Sequence, residues 1–206
     1  MIELPTAHKD LLLGIDVSSY QSEVHWRRVR DAGVKRAVIK IGEGTRGASC
    51  AAERCDGARA YLGDDAVDGY HECRLMGHGP DDTARAAVER AAARRVECLW
   101  LALETTWIHE LSDDECGAWV VTALDAAALV HSTGLYTSLR CLRHLRRTRY
   151  AARIAEHPLW VAAYPSPRVV QGGYSPRLPK PWTSWLGWQY TSGRKGALPG
   201  VCPGVE

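Results

Sequence analysis

Residues 99–104 read Leu99-Trp100-Leu101-Ala102-Leu103-Glu104, a short apolar run that ends in an acid. Its length and composition are those of a strand buried on both faces, as in a parallel sheet covered by helices. Side chains alternate across a strand, so Ala102 and Glu104 share one face while Leu101 and Leu103 share the other. One face therefore carries a methyl group and then a carboxylate.

Working outward, similar apolar runs alternate with amphipathic segments. Upstream, strands are expected over Leu11 to Val17, Lys35 to Ile41 and Ala66 to Tyr70. Helices are expected over Glu23 to Ala32, with Ser22 as N-cap and Gly33 as stop, and over Ala51 to Leu62. Asp81 to Arg95 reads as a helix with acids at its start and Arg at its end, as the helix dipole favours. Downstream, Ser112-Asp113-Asp114-Glu115 matches a capping box that opens a helix to about Val130. Leu135 to Thr137 is a strand, Leu139 to Ala155 a basic helix, and Leu159 to Ala163 and Leu186 to Tyr190 are the last strands. Residues 165–182 are rich in Pro and Gly and read as a long loop within the domain. The pattern predicts an α/β fold, a single-domain irregular TIM-like barrel over residues 1–206.

Bulk properties narrow the class. At 206 residues, 46% hydrophobic and 24% charged, the chain has the composition of a globular protein with one substantial core. No run is long and apolar enough for a transmembrane helix, and no secretory signal is visible at the N-terminus, so release by lysis or carriage in a particle is expected. The net charge of +2 argues neither for nor against a polyanionic partner. Seven scattered cysteines show no zinc spacing, so neither metal nor cofactor is expected. They read as free thiols, with a Cys50–Cys55 bridge as the alternative.

The most specific motif is Gly14-Ile15-Asp16-Val17-Ser18-Ser19-Tyr20-Gln21. On a barrel strand Asp16 faces the interior near the C-terminal end, where barrel active sites form. A charge inside an apolar strand needs a role or a partner, and the plainer reading is a polar group capping the next loop. Together with Trp26 and Val38-Ile39-Lys40-Ile41-Gly42-Glu43-Gly44-Thr45, the motif resembles the opening of the family 25 glycoside hydrolases, the Chalaropsis-type lysozymes or N-acetylmuramidases. The resemblance continues through Gly69-Tyr70-His71, Gly134-Leu135-Tyr136-Thr137-Ser138, Pro158-Leu159-Trp160-Val161-Ala162-Ala163-Tyr164, Trp188-Gln189-Tyr190-Thr191-Ser192 and Leu198-Pro199-Gly200-Val201. These stretches occur in family order over essentially the whole chain.

The resemblance implies a (β/α)5(β)3 barrel that cleaves the β-1,4 bond between N-acetylmuramic acid and N-acetylglucosamine in peptidoglycan. It makes Glu104 the general acid, with a raised pKa, and Asp16 the aspartate of the first strand. Tyr70, Tyr136 and Trp188 match aromatic positions lining the groove, and Glu43 matches a glutamate at its edge. Three positions depart from the family pattern. Ala102 stands where the aspartate of an Asp-x-Glu pair is expected. Glu206 replaces a C-terminal aspartate and is a third candidate acid. Glu72 replaces the aromatic residue that usually follows Tyr-His.

Two readings follow. One is a muramidase, slowed by the lost carboxylate, that uses Glu104 with help from Asp16. The other is a homologue that binds glycan or serves as a structural part, for example of a bacteriophage particle, and does not cut. The basic run Arg140, Arg143, Arg146, Arg147, Arg149 and Arg153 offers a docking face for an acidic partner, or simply a solvated outer helix.

Overall fold

The computed structural model describes residues 11–104, 111–165 and 173–191. In chain order the elements are β1 (Gly14–Val17), α1 (Trp26–Asp31), β2 (Arg36–Glu43), β3 (Arg46–Gly47), α2 (Ala51–Leu62), β4 (Val67–Glu72), α3 (Pro80–Arg94) and β5 (Leu99–Leu103). There follow α4 (Asp113–Ala128), β6 (Thr133–Ser138), α5 (Leu139–Leu145), α6 (Ala151–Ile154), β7 (Leu159–Ala162) and β8 (Gly187–Gln189). Strands β1, β2, β4, β5, β6, β7 and β8 lie side by side in that order, all parallel, and the two-residue β3 turns back along the end of β2.

The sheet curls, and its two faces carry different cores. Ile15, Val17, Ile39, Ile41, Val67, Leu99, Leu101, Leu103, Leu135, Leu159 and Val161 point outward and pack under the helices with Val29, Cys55, Ala87, Trp119 and Leu124. A second, smaller cluster of Val38, Trp100, Ala102, Tyr136, Trp160 and Ala162 fills the concave face. At the floor of that face Arg36 donates two hydrogen bonds of 2.7 Å to the buried Asp68. Asp68 also accepts from the Cys98 N–H and from Trp100 Nε1, so its charge is paired and bonded, as burial requires.

The capping box forms as the sequence predicts. Ser112 accepts from the Glu115 N–H, and Glu115 accepts from the Ser112 N–H. Two element expectations need correction. Helix α1 starts at Trp26, and Ser22 does not cap it, because Val24 is held in a β-bridge just before it. The expected basic helix from Leu139 to Ala155 is two short helices. Between them Arg149 donates its backbone N–H to Asp114 Oδ1 at 3.1 Å instead of to the preceding turn. The buried Thr148 packs where a Cβ on Gly117 would come within 2.7 Å of its Oγ1. Several charges of this segment pair locally, His144 with Asp113, Arg149 with Asp114 and Arg153 with Asp125 and Glu156. Cys50 and Cys55 are free thiols, as the sequence reads them, and the alternative bridge does not form. Within the expected loop, residues 173–182 contain no helix or strand.

Among the described residues no helix is long and apolar enough to cross a membrane, and no group of three His, Cys, Asp or Glu side chains is placed to hold a metal.

Candidate active site

Parallel register sets which side chains share the concave face. Asp16 pairs with Val38, Lys40 with Tyr70, Tyr70 with Trp100, Glu72 with Ala102, Ala102 with Tyr136, Tyr136 with Trp160, and Ala162 with Gln189. Glu104 follows Ala102 by two residues on the same face, at the C-terminal end of the sheet, where the loops of such barrels assemble sites.

Of the three acids the sequence singled out, Asp16 and Glu104 are brought by the fold into one groove. Asp16 Oδ2 accepts a 2.8 Å hydrogen bond from Gln189 Nε2, which ties β1 to β8 across the open edges of the sheet. Burial pushes the Asp16 carboxyl above its ordinary range, against the pull of that hydrogen bond. Burial likewise raises Glu104, and the negative charges of Glu72 and Asp16 raise it further while Lys40 opposes them. A carboxyl that keeps its proton beyond the usual range is what a general acid needs.

Gln189 organises one wall. Its amide oxygen accepts from the Tyr136 hydroxyl at 2.8 Å and from the Tyr164 hydroxyl, while its amide nitrogen serves Asp16. Tyr136 packs on Trp160 with ring centroids 4.4 Å apart. Tyr70 stands on the same face. Burial, then the charges of Asp16, Glu72 and Glu104, hold its hydroxyl protonated well beyond the usual range, against a hydrogen bond with Ser18. On the other wall Lys40 Nζ binds Glu43 Oε2 at 2.8 Å and Glu72 Oε2 at 2.5 Å, and Arg74 pairs with Glu43.

Ala102 is fully buried among Val38, Trp100, Tyr136, Trp160 and Ala162, so the floor beside Glu104 is apolar. Trp188 does not line the groove as expected. It pairs in register with the outward Val161, donates its indole N–H to Ala163 O at 2.8 Å, and packs with Tyr174, Trp185 and Tyr190. Alternation on a three-residue strand puts Gln189 inward instead. Glu206 lies outside the described residues, as do Ser192 and the Leu198–Val201 motif. The residues missed from sequence are Lys40, Tyr164 and Gln189.

The model of the glycosyl hydrolases family 25 matches residues 15–201. The chain belongs to this family. No curated protein matches the sequence significantly. Among solved structures, the bacterial lysozyme from Streptomyces coelicolor superposes with a TM-score of 0.76 at 21% identity, covering 94% of this chain and 88% of that one. The muramidase from Acremonium alcalophilum gives 0.76 at 20% identity, covering 93% and 91%. The catalytic domain of the endolysin ply40 from bacteriophage P40 of Listeria monocytogenes gives 0.65 at 20%, covering 94% and 90%. This family 25 protein is thus lysozyme-like over its curled parallel sheet. Its groove keeps an acid at the end of β5, but the floor position two residues earlier holds a methyl.

Proposed function

We propose that this family 25 protein is a muramidase, cleaving the β-1,4 bond between N-acetylmuramic acid and N-acetylglucosamine of peptidoglycan. Glu104 is the general acid that protonates the bridging oxygen. Asp16, fixed by Gln189, faces it across the groove and helps keep its proton in place. The observation that carries this reading is the raised pKa of Glu104 at the mouth of a groove walled by Tyr70, Tyr136 and Tyr164. The autolysin LytC from Streptococcus pneumoniae, whose structure was solved with a synthetic peptidoglycan ligand, shares the fold at a TM-score of 0.70 and 16% identity, and supports peptidoglycan as the substrate class. The whole chain forms one (β/α)5(β)3 domain in this reading, and the protein reaches the wall after lysis or aboard a phage particle.

The buried methyl of Ala102 favours a second reading, a barrel that holds glycan without cutting it. One experiment separates the two. Purified peptidoglycan is digested with the wild-type protein and with Glu104→Gln, and new reducing ends at muramic acid are counted. The muramidase releases ends, and Glu104→Gln lowers the rate by about 10²–10⁴-fold, the usual worth of a positioned general acid. Equal, background-level release by both proteins sinks the proposal in favour of the non-cutting barrel.

A further inference from the structure

A glycosidase of the common type works with two carboxylates about 5–9.5 Å apart, one of which donates a proton while the other meets the charge left on the sugar. Glu104 is one. The floor residue on its own strand, Ala102, cannot be the other. We propose that Glu72, on the neighbouring strand, supplies the second carboxylate. This rests on the muramidase reading above.

Three observations place it there. Glu72 is the last residue of β4 and pairs in register with Ala102, so its side chain rises from the concave face directly beside the methyl. Glu104 lies one strand across and two residues along. With strands about 4.8 Å apart and about 3.3 Å of rise per residue, the two backbone positions are about 8 Å apart, within reach of the required spacing. Lys40 holds Glu72 Oε2 at 2.5 Å, and the Glu72 side chain keeps only 19% of its surface exposed, so the carboxylate is fixed at the wall. The charge of Glu72 is the second-largest cause, after burial, of the raised pKa of Glu104, which places the two groups within electrostatic reach. Asp16 is less suited to the task, because its Oδ2 is committed to the Gln189 bond that bridges β1 and β8.

The step balances without a further reactant. Glu104 gives its proton to the bridging oxygen, and the C1–O bond breaks with its electron pair going to that oxygen. Glu72 stays ionised and faces the positive charge spread over C1 and the ring oxygen. Water then adds at C1, and its proton returns to Glu104. The carboxylate missing from β5 has thus been replaced from β4, one strand away, and Lys40 is the positioning residue that steadies it.

The test uses the wild-type protein, Glu104→Gln, Glu72→Gln, and Glu72→Gln combined with Ala102→Asp, on purified peptidoglycan and on its soluble glycan fragments. Thermal melts show that each variant folds. Glu72→Gln is expected to lower kcat by about 10²–10³-fold with KM nearly unchanged, the size of a lost electrostatic element in the transition state. Adding Ala102→Asp is expected to restore at least ~10-fold, because it returns a carboxylate to the same lateral position. Glu72→Gln cutting within threefold of wild type overturns the assignment while leaving the muramidase reading intact. A loss that Ala102→Asp does not restore also overturns it, and reduces Glu72 to a counterion for Lys40. Wild-type protein that cuts no better than Glu104→Gln overturns the muramidase reading and this assignment together.

Discussion

At the residue scale, the groove works through the balance of charge around Glu104. Burial and the charges of Glu72 and Asp16 favour its protonated form, while the Lys40 ammonium favours the ionised one. Replacing either acid by its amide removes a like charge, so the Glu104 carboxyl must titrate at lower pH. Lys40→Met removes the opposing charge, so it must titrate at higher pH. Carbon-13 NMR of the side-chain carboxyls, with Glu104→Gln for assignment, reads the shift directly. Movement of Glu104 in the same direction in Asp16→Asn and Lys40→Met would refute this account. A working general acid is lost as pH rises through its pKa, so the alkaline limb of activity should follow the NMR titration. Glu104 and Asp16 were legible in the sequence because each is an acid at the inward position of an otherwise apolar strand. Lys40 was not, because a lysine within Val-Ile-Lys-Ile reads equally well as a solvated edge. Only its pairing with Glu43 and Glu72 shows why the charge is tolerated inside.

At the element scale, one irregularity decides which side chains of β2 reach the groove. Counting by twos from Val38 and Lys40 would turn Gly42 inward and Glu43 outward. Instead the β2–β4 register shifts between Lys40 and Gly42, so that Gly42 pairs with His71 and Glu43 with Glu72. The extra residue rotates Glu43 to the inner wall, where Lys40 and Arg74 take it up. Gly42 is required because a Cβ there would lie 2.6 Å from the His71 ring and 2.8 Å from Arg46 O. Gly42→Ala is therefore expected to destabilise the fold by about 1–3 kcal/mol, the usual cost of overpacking, and to weaken activity by shifting Glu43 and Lys40. Urea denaturation that shows less than about 0.5 kcal/mol of change would contradict the role given to this contact. Gln189 makes a comparable prediction for β8. Its replacement by Leu leaves the buried Asp16 carboxyl without its side-chain partner, a loss of about 1–3 kcal/mol. Neither device can be read from strand periodicity. A bulge breaks the period, and a three-residue strand is too short to establish one; Trp188 was expected in the groove from the resemblance alone. Longer elements such as α3 and α4, which run for several turns, lie within a few residues of their expected bounds.

At the scale of the whole molecule, the same buried polar groups that shape the groove set the dependence of stability on pH. The separation into an outer aliphatic core and an inner aromatic one follows from alternation along each strand. The protonation of the interior was not legible in the sequence, because it depends on how deeply each group is buried. His71 is fully buried on the outer face of β4. Its Nε2–H donates to Gly44 O at 2.8 Å, and its Nδ1 has no partner among the described residues. Burial, aided by the positive charges of Arg90 and Lys40, lowers its pKa from 6.5 to about 4 against the pull of the Gly44 bond. The unfolded chain therefore takes up a proton on this residue before the folded protein does. Its contribution is complete above pH 6.5 and drains away as pH falls toward about 4, at up to about 1.4 kcal/mol per pH unit. Asp16 and Glu104 act in the opposite sense. Their raised pKa values make the folded form hold protons more tightly, so they weaken the fold as pH rises and strengthen it on acidification. The two effects have opposite signs. His71→Gln, which keeps a donor toward Gly44 O but cannot titrate, removes one of them. Its unfolding free energy, measured by urea titration at steps between pH 7 and pH 4.5, should gain on wild type at each step, whatever its offset at pH 7. Parallel curves for the two proteins would mean that His71 titrates alike in the folded and the unfolded chain, and would refute this account.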